Sequence, residues 1–440
     1  AQPTAATPAT AAAPTQAPAA QATTTSAQKT NLVLIGWNYQ PDEVKQNVDR
    51  FAQQNPGLTV DYQSISGEYL TALIPKFQAK TPIDVVYVRD QYTAAWVDAK
   101  YIRPVNDFTE WKAIVPDLYQ LNLEQSTYKG QNWGTFYYTD FDVLHWNQQM
   151  LVDAGITQAP TTLDELRSQS QTIKKQGKIE FPLEFDWTQG SDAMWDYWMF
   201  VFGSGGHLLD ENGQPTYPDK DPVPLEILKW WVAAANEWKI VNAAANMQPV
   251  PQGTLTAYRS GKAAFYAYSR YDLYADNDPT QSRIAIQGKI NSRLALIPGL
   301  DQNSPHYAPG WTRLYGVTSY TSHLDDAWKL AYYMGAKDKT GEYYTAKRWW
   351  LLQSLGYVFK PLAQDPEVQA HTKTFIADPG LMDQATQLAR TRDGLQYPWW
   401  TDWYTHLQAQ IQEAILGKKA PKDALTESAN KARALAKQSA

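Results

Sequence analysis

Three short apolar runs alternate with two amphipathic segments between Asn31 and Val88, and this alternation restricts the possible folds more than any other feature of the chain. Asn31-Leu32-Val33-Leu34-Ile35-Gly36-Trp37 reads as a buried strand. Pro41 opens a helix in which Val44, Val48 and Phe51 share one face, and Asn55-Pro56-Gly57 ends it. Leu58–Tyr62 is a second strand. A helix with Leu70, Leu73 and Phe77 inward follows, and Ile83–Val88 is a third strand. A βαβαβ order of this kind builds a parallel sheet with helices on both faces, since crossovers are right-handed. Ligands of such sheets sit beyond the carboxyl ends of the strands. The segments in that position are Trp37-Asn38-Tyr39 and Arg89-Asp90-Gln91-Tyr92, each aromatic and polar together.

Further along, Gly134–Tyr138 reads as a strand leading through Asp140 into Val143–Asn147. Thr162 and Glu165 have the spacing of a capping box at a helix start. Mixed α/β sequence continues to Ile297-Pro298-Gly299. The C-terminus is helical, punctuated by Gly417, with Leu425, Ala429, Ala432 and Leu435 on one face. Residues 1–30 differ from all of this. Apart from Lys29 they are Ala, Gln, Pro, Thr and Ser, too little apolar surface to offset ordering, and they read as a disordered tether.

A net charge of −6 argues against a nucleic-acid partner. With no cysteine there is neither a disulfide nor a thiolate metal site, and the six histidines lack metal-binding spacing, so neither metal nor cofactor is expected. No run approaches the roughly 20 apolar residues of a membrane helix. Gly203–Leu208 and Gly261-Lys262 fail the dinucleotide, nucleophile-elbow and phosphate-loop patterns. Two carboxylate pairs, Asp140 with Asp142 and Glu184 with Asp186, are the one route to catalysis, of the kind a glycosidase uses. Tryptophan is abundant at 18 residues, clustered at Trp195, Tyr197 and Trp198, at Trp349 and Trp350, and at Trp399, Trp400, Trp403 and Tyr404. Aromatic faces stack on the C–H faces of sugars while carboxylates and amides take the hydroxyls. The last cluster, at a helix start, is the least core-like, since one helix cannot hide rings on every side.

The order of landmarks resembles the extracellular solute-binding proteins that include maltose-, trehalose- and glycerol-phosphate-binding proteins, over essentially all of residues 31–440. They are Phe51–Gly57, Ile83-Asp84-Val85-Val86, Tyr101–Phe108, His145-Trp146-Asn147, Pro160–Leu166, Ser260–Ala264, Leu296–Gly299 and Gly417–Leu425. The resemblance implies a two-lobed, type II-like periplasmic-binding-protein fold with the ligand cleft between the lobes. Lobe 1 would be residues 31–139 with 299–352, and lobe 2 residues 140–298 with 353–440. It implies a monomeric receptor, not an enzyme, that closes on a mono- or oligosaccharide and delivers it to the membrane subunits of an ABC importer. Its place would be periplasmic or extracellular, with lipid anchoring through the tether. By position, Asp90 and Asp140 match cleft carboxylates, Tyr271 a stacking aromatic, Trp403 and Tyr404 another, and Gly310-Trp311 a ligand-contacting loop. Two alternatives remain open: a carbohydrate-active enzyme using a cleft carboxylate pair, or a receptor for a phosphorylated polyol, held by Arg89, Arg270 or Arg313, or for a polyamine.

Overall fold

The computed structural model describes residues 29–190, 193–249 and 256–439. Residues 1–28 of the expected tether lie outside that range, while Thr30 already pairs with Leu58 in a strand.

Among the described residues nine strands form one sheet: β1 (Thr30–Trp37), β2 (Leu58–Ile65), β3 (Val85–Arg89), β4 (Thr135–Asn147), β5 (Leu183–Glu184), β6 (Phe265–Ser269), β7 (Ser292–Ala295), β8 (Ala308–Val317) and β9 (Ala389–Thr391). Their order is β2-β1-β3-β8-β4-β6-β5, with β9 beside β8 and β7 beside β4. The first three strands are parallel, as the βαβαβ pattern requires. The whole sheet is mixed, because β8 enters antiparallel to both β3 and β4.

Local sequence explains the elements. Helix Pro41–Gln54 carries Pro at its first turn and buries Val44, Val48 and Phe51. In helix Tyr69–Gln78 the inward residues are Tyr69, Leu73 and Phe77, with Leu70 only half-buried. Tyr69 goes inside because its hydroxyl donates to the Tyr87 carbonyl at 2.8 Å. β3 begins two residues later than its apolar run, since the Asp84 carboxylate accepts the Val33 N–H at 2.8 Å and a bond from Thr321. The capping box forms: Thr162 Oγ1 accepts from Glu165 N–H at 3.2 Å, and the Glu165 carboxylate accepts from Thr162 N–H at 3.3 Å. Thr162→Ala is expected to cost about 1 kcal/mol, read as a lower urea midpoint at unchanged slope. An unchanged midpoint would mean that tertiary packing alone sets this helix start.

The key element is β4. Its first half pairs with β8 as far as Phe141 opposite Gly310. From Asp142 opposite Ser269 onward it pairs with β6, and from Leu144 also with β7. One unbroken strand therefore serves two cores. The first draws on residues between Leu32 and Tyr138 and between Leu314 and Leu362. The second draws on residues between Leu144 and Trp311 and between Trp399 and Ala432. A smaller cluster, including Phe141, Trp350, Phe375 and Ala389, packs where the two meet. On the last helix Leu425, Ala429 and Ala432 are fully buried and Leu435 is partly so.

Candidate functional site

Where β4 changes partners, the two lobes enclose a chamber of about 200 Å³. The first lobe supplies Trp37, from the carboxyl end of β1, and Tyr39. Their rings stack at 5.6 Å and 10°. The Arg89 guanidinium lies behind, 5.2 Å from the Trp37 ring, and reinforces that wall. The second lobe supplies Trp195, on the first turn of helix Trp195–Gly203, with Tyr268 on β6 and Tyr271 just beyond it. Trp311 of β8 meets Trp195 edge to face at 4.7 Å and 81°. Four aromatic walls thus come from separate parts of the chain.

Between the rings stand Asp142, Asp186, Asp196, Ser269 and Arg313. Arg313 is oriented by Asp90, whose carboxylate accepts from Arg313 Nη1 at 2.8 Å and from Arg392 Nη2 at 3.1 and 3.2 Å. Both guanidinium groups lie over the Trp195 ring, at 5.3 and 3.9 Å. Asp142 Oδ1 accepts from Ser269 Oγ at 3.3 Å, and its Oδ2 has no hydrogen-bond partner among the described residues. Asp196 Oδ2 accepts from the Asp186 N–H at 2.9 Å, and its Oδ1 likewise has no partner among them. Both aspartates are 2% exposed. Burial pushes the Asp142 carboxyl well above the usual carboxylate range, against the pull of Arg392. Burial does the same to Asp196, aided by the charge of Asp186. A buried acceptor without a donor costs about 1 to 3 kcal/mol. A donor placed against either oxygen would recover that cost.

Sequence reasoning placed Trp37, Tyr39, Tyr271 and Trp311 on this site, and all four line the chamber. Arg89 and Asp90 stand one layer behind it. Asn38 is half-buried and off the wall, its N–H held by the Ile65 carbonyl at 3.0 Å. Gly310 is also off the wall; its carbonyl accepts from Gln125 Nε2 at 2.8 Å, and a Cβ there would stand 3.3 Å from Leu121. Asp140 needs correction as a cleft carboxylate. Arg270 grips it through Nε at 3.0 Å and Nη2 at 2.5 Å, and it faces a separate cavity of about 650 Å³ beside Trp350 and Tyr357. Trp403 and Tyr404 need correction as well. They are 0% and 2% exposed, with Trp403 Nε1 donating to Tyr217 Oη at 3.0 Å and Tyr404 Oη to the Met194 carbonyl at 2.8 Å. Helix Trp195–Gly203, buried at every residue, covers the side of helix Trp400–Ile415 expected to be exposed. Of the carboxylates weighed as pairs, Glu184 is a backbone cap, accepting from Ala257 and Tyr258 N–H at 2.9 and 2.7 Å, with its pKa pushed up to about 7 by burial. Asp142 and Asp186 reach the chamber. Asp196 was missed, although an acid inside the apolar run Trp195–Gly203 was a visible signal.

A sequence model described as bacterial extracellular solute-binding protein matches residues 37–340, well over half of the chain. The chain belongs to that family. Among solved structures similar to this family member is maltose-bound MalE3 of T. maritima, at a TM-score of 0.79 and 17% identity, covering 92% of this chain and 100% of that one. Another is the GacH receptor of Streptomyces glaucescens, determined unliganded and with acarbose, at 0.76 and 16%, covering 93% and 99%. A third is an ABC transporter solute-binding protein of Agrobacterium radiobacter in complex with ribitol, at 0.73 and 17%, covering 93% and 99%. At such identities the likeness is one of fold: this solute-binding protein has the two-lobed α/β architecture of periplasmic binding proteins. Its chamber lies between the lobes.

Proposed function

We propose that this solute-binding protein captures a carbohydrate between its lobes and hands it to the membrane subunits of an ABC importer outside the cytoplasm. The observation that carries the reading is the pair of buried oxygens, Asp142 Oδ2 and Asp196 Oδ1, lacking partners among the described residues within walls of Trp37, Tyr39, Trp195 and Trp311. Sugar hydroxyls supply donors to such oxygens, and sugar C–H faces suit such rings. Asp90 and Asp140 serve by holding arginines. Tyr271 and Arg313 complete the contact set. Lobe 1 then consists of residues 30–141 with 312–362, and lobe 2 of residues 142–311 with the C-terminal helices; closure about the crossing strands buries the solute. Solved structures of similar fold support the reading, having been determined with maltose, acarbose or ribitol. A phosphorylated solute is less suited, because Asp90 already engages both Arg313 and Arg392.

The test is a thermal-shift screen against sugars, polyols, sugar phosphates and polyamines. A ligand at a hundredfold excess over its Kd stabilises the folded chain by about 2.7 kcal/mol. A rise in Tm with a carbohydrate recovered unchanged is expected. Shifts confined to phosphates or amines would overturn the carbohydrate assignment, and consumption of the sugar would overturn the receptor assignment.

A further inference from the structure

A second, larger cavity adjoins the chamber and shares two of its walls. It measures about 660 Å³ and lies within the second lobe, between β5, β6 and helix Ala243–Asn246. Asp186 and Tyr268 line both cavities, so the wall between them is the side chains at a common neck. The inner chamber of about 200 Å³ has room for about seven waters at roughly 30 Å³ each, the scale of one sugar ring. The outer one is several-fold larger.

The chemistry of the walls is continuous across the neck. Tyr266 and Tyr268 project from the same face of β6, two residues apart, and stack at 5.0 Å and 13°. Tyr268 meets Tyr271 edge-on at 6.3 Å and 70°. Tyr271 and Tyr268 belong to the inner chamber, Tyr268 and Tyr266 to the outer one, so one aromatic surface runs through both. The polar lining of the outer cavity is mainly neutral, with Thr188, Asn246, Gln248, Thr256 and Ser260, and Lys262 is its one cation among the described residues. Among its acids, Glu184 is occupied by the backbone of Ala257 and Tyr258. Asp186 at the neck is positioned by Thr188, whose N–H and hydroxyl donate to Oδ1 at 3.1 and 2.5 Å. Rings beside neutral amides and hydroxyls match a neutral polyhydroxylated chain better than a peptide or a polyanion.

We propose that the solute is an oligosaccharide, with its terminal unit in the inner chamber and its following units passing Asp186 and Tyr268 into the outer cavity. The proposal rests on the carbohydrate reading above and adds chain length and direction to it.

The experiment is calorimetric titration of the full chain with gluco-, manno-, galacto- and xylo-oligosaccharides of one to four units. In the series that binds, affinity should tighten at least about tenfold from one unit to three. Ala245→Trp and Gln248→Trp fill the outer cavity from exposed positions on its rim and leave the inner chamber untouched. Each should abolish the gain with length and leave the monosaccharide Kd within about twofold of the parent; an unchanged melting curve without ligand verifies folding. Affinity independent of length, or a length gain that survives both substitutions, overturns the proposal while leaving a monosaccharide receptor standing. Binding of no saccharide of any length overturns the carbohydrate reading itself, and this proposal with it.

Discussion

Replacing Arg270 with alanine should destabilise the chain by about 3 to 5 kcal/mol, the cost of stranding a buried charge. Asp140 is 3% exposed and Arg270 1%. The guanidinium grips both carboxylate oxygens, donates to the Ser354 carbonyl at 2.8 Å, and lies 4.8 Å from the Trp350 ring. The Gly356 N–H, at 3.3 Å, is the other long-range donor to Asp140. All this happens where β4 leaves one lobe for the other, so the ion pair ties β4 to the segment just after β6 and to residues 354–356. Burial already raises the Asp140 carboxyl above its usual value of 3.8, with Arg270 the main opposing influence. Without the arginine, only the Phe141 and Gly356 N–H groups oppose burial, and the carboxyl rises further. A carboxyl raised in the folded state contributes stability below its unfolded value, and this is lost as pH climbs through the folded value. The deficit of the variant should therefore be small near pH 4 and grow toward pH 7.5, as measured by urea midpoints at both. Adding Asp140→Leu should recover much of the loss at neutral pH. A deficit below 1 kcal/mol, or one unchanged by pH, would refute this account of the crossing.

Legibility in the sequence followed the range of the interactions. β1, β2, β3 and the two helices between them could be read from periodicity because each buries its own apolar residues at regular spacing. Deviations came where a side chain made a distant bond: Tyr69 displaces Leu70 through the Tyr87 carbonyl, and Asp84 delays β3 by satisfying Val33. β4 was seen as two pieces, since Asp140 and Asp142 interrupt its apolar pattern. Only the pairing of Phe141 with Gly310 and of Asp142 with Ser269 shows that it is one strand. Its antiparallel partners lie more than a hundred residues away, and no local signal encodes them.

The site was legible where it obeys the strand-end rule. Trp37 and Tyr39 sit there because β1 ends there. Tyr271 and Trp311 came from the order of family landmarks and also reach the chamber. Trp403 and Tyr404 failed for a tertiary reason: nothing in residues 399–404 reveals that another helix with nine buried residues lies across them. Asp140 and Asp142 were nearly interchanged. Two residues apart on one strand, they differ in what approaches them, Arg270 in one case and Ser269 beside the chamber in the other. Counting carboxylates identifies candidates, whereas the distribution of arginines determines which of them remains available to a solute.

That distribution leads to the sharpest test of the site. Asp142→Asn and Asp196→Asn should each weaken solute binding about five- to a hundredfold, as expected when a solute donor loses its buried acceptor, a loss of about 1 to 3 kcal/mol. Each should also stabilise the unliganded chain at neutral pH. Both carboxyls are raised far above 3.8 by burial, with Arg392 and Arg313 opposing at Asp142, and Asp186 and Asp142 adding to the rise at Asp196. Their contribution to folding is thus full below the unfolded value and lost as pH rises through the folded one, so at neutral pH they are a liability that solute binding offsets. An asparagine carries no charge to desolvate, and the stability of the variants should fall less between pH 4 and pH 8 than that of the parent. Calorimetric titration and urea unfolding across that range separate the two effects. If both variants bind as the parent does and unfold more readily, the two carboxylates are structural and the solute gains its hydrogen bonds elsewhere. Weaker binding with greater intrinsic stability means that the site holds strain in its empty state which the solute relieves.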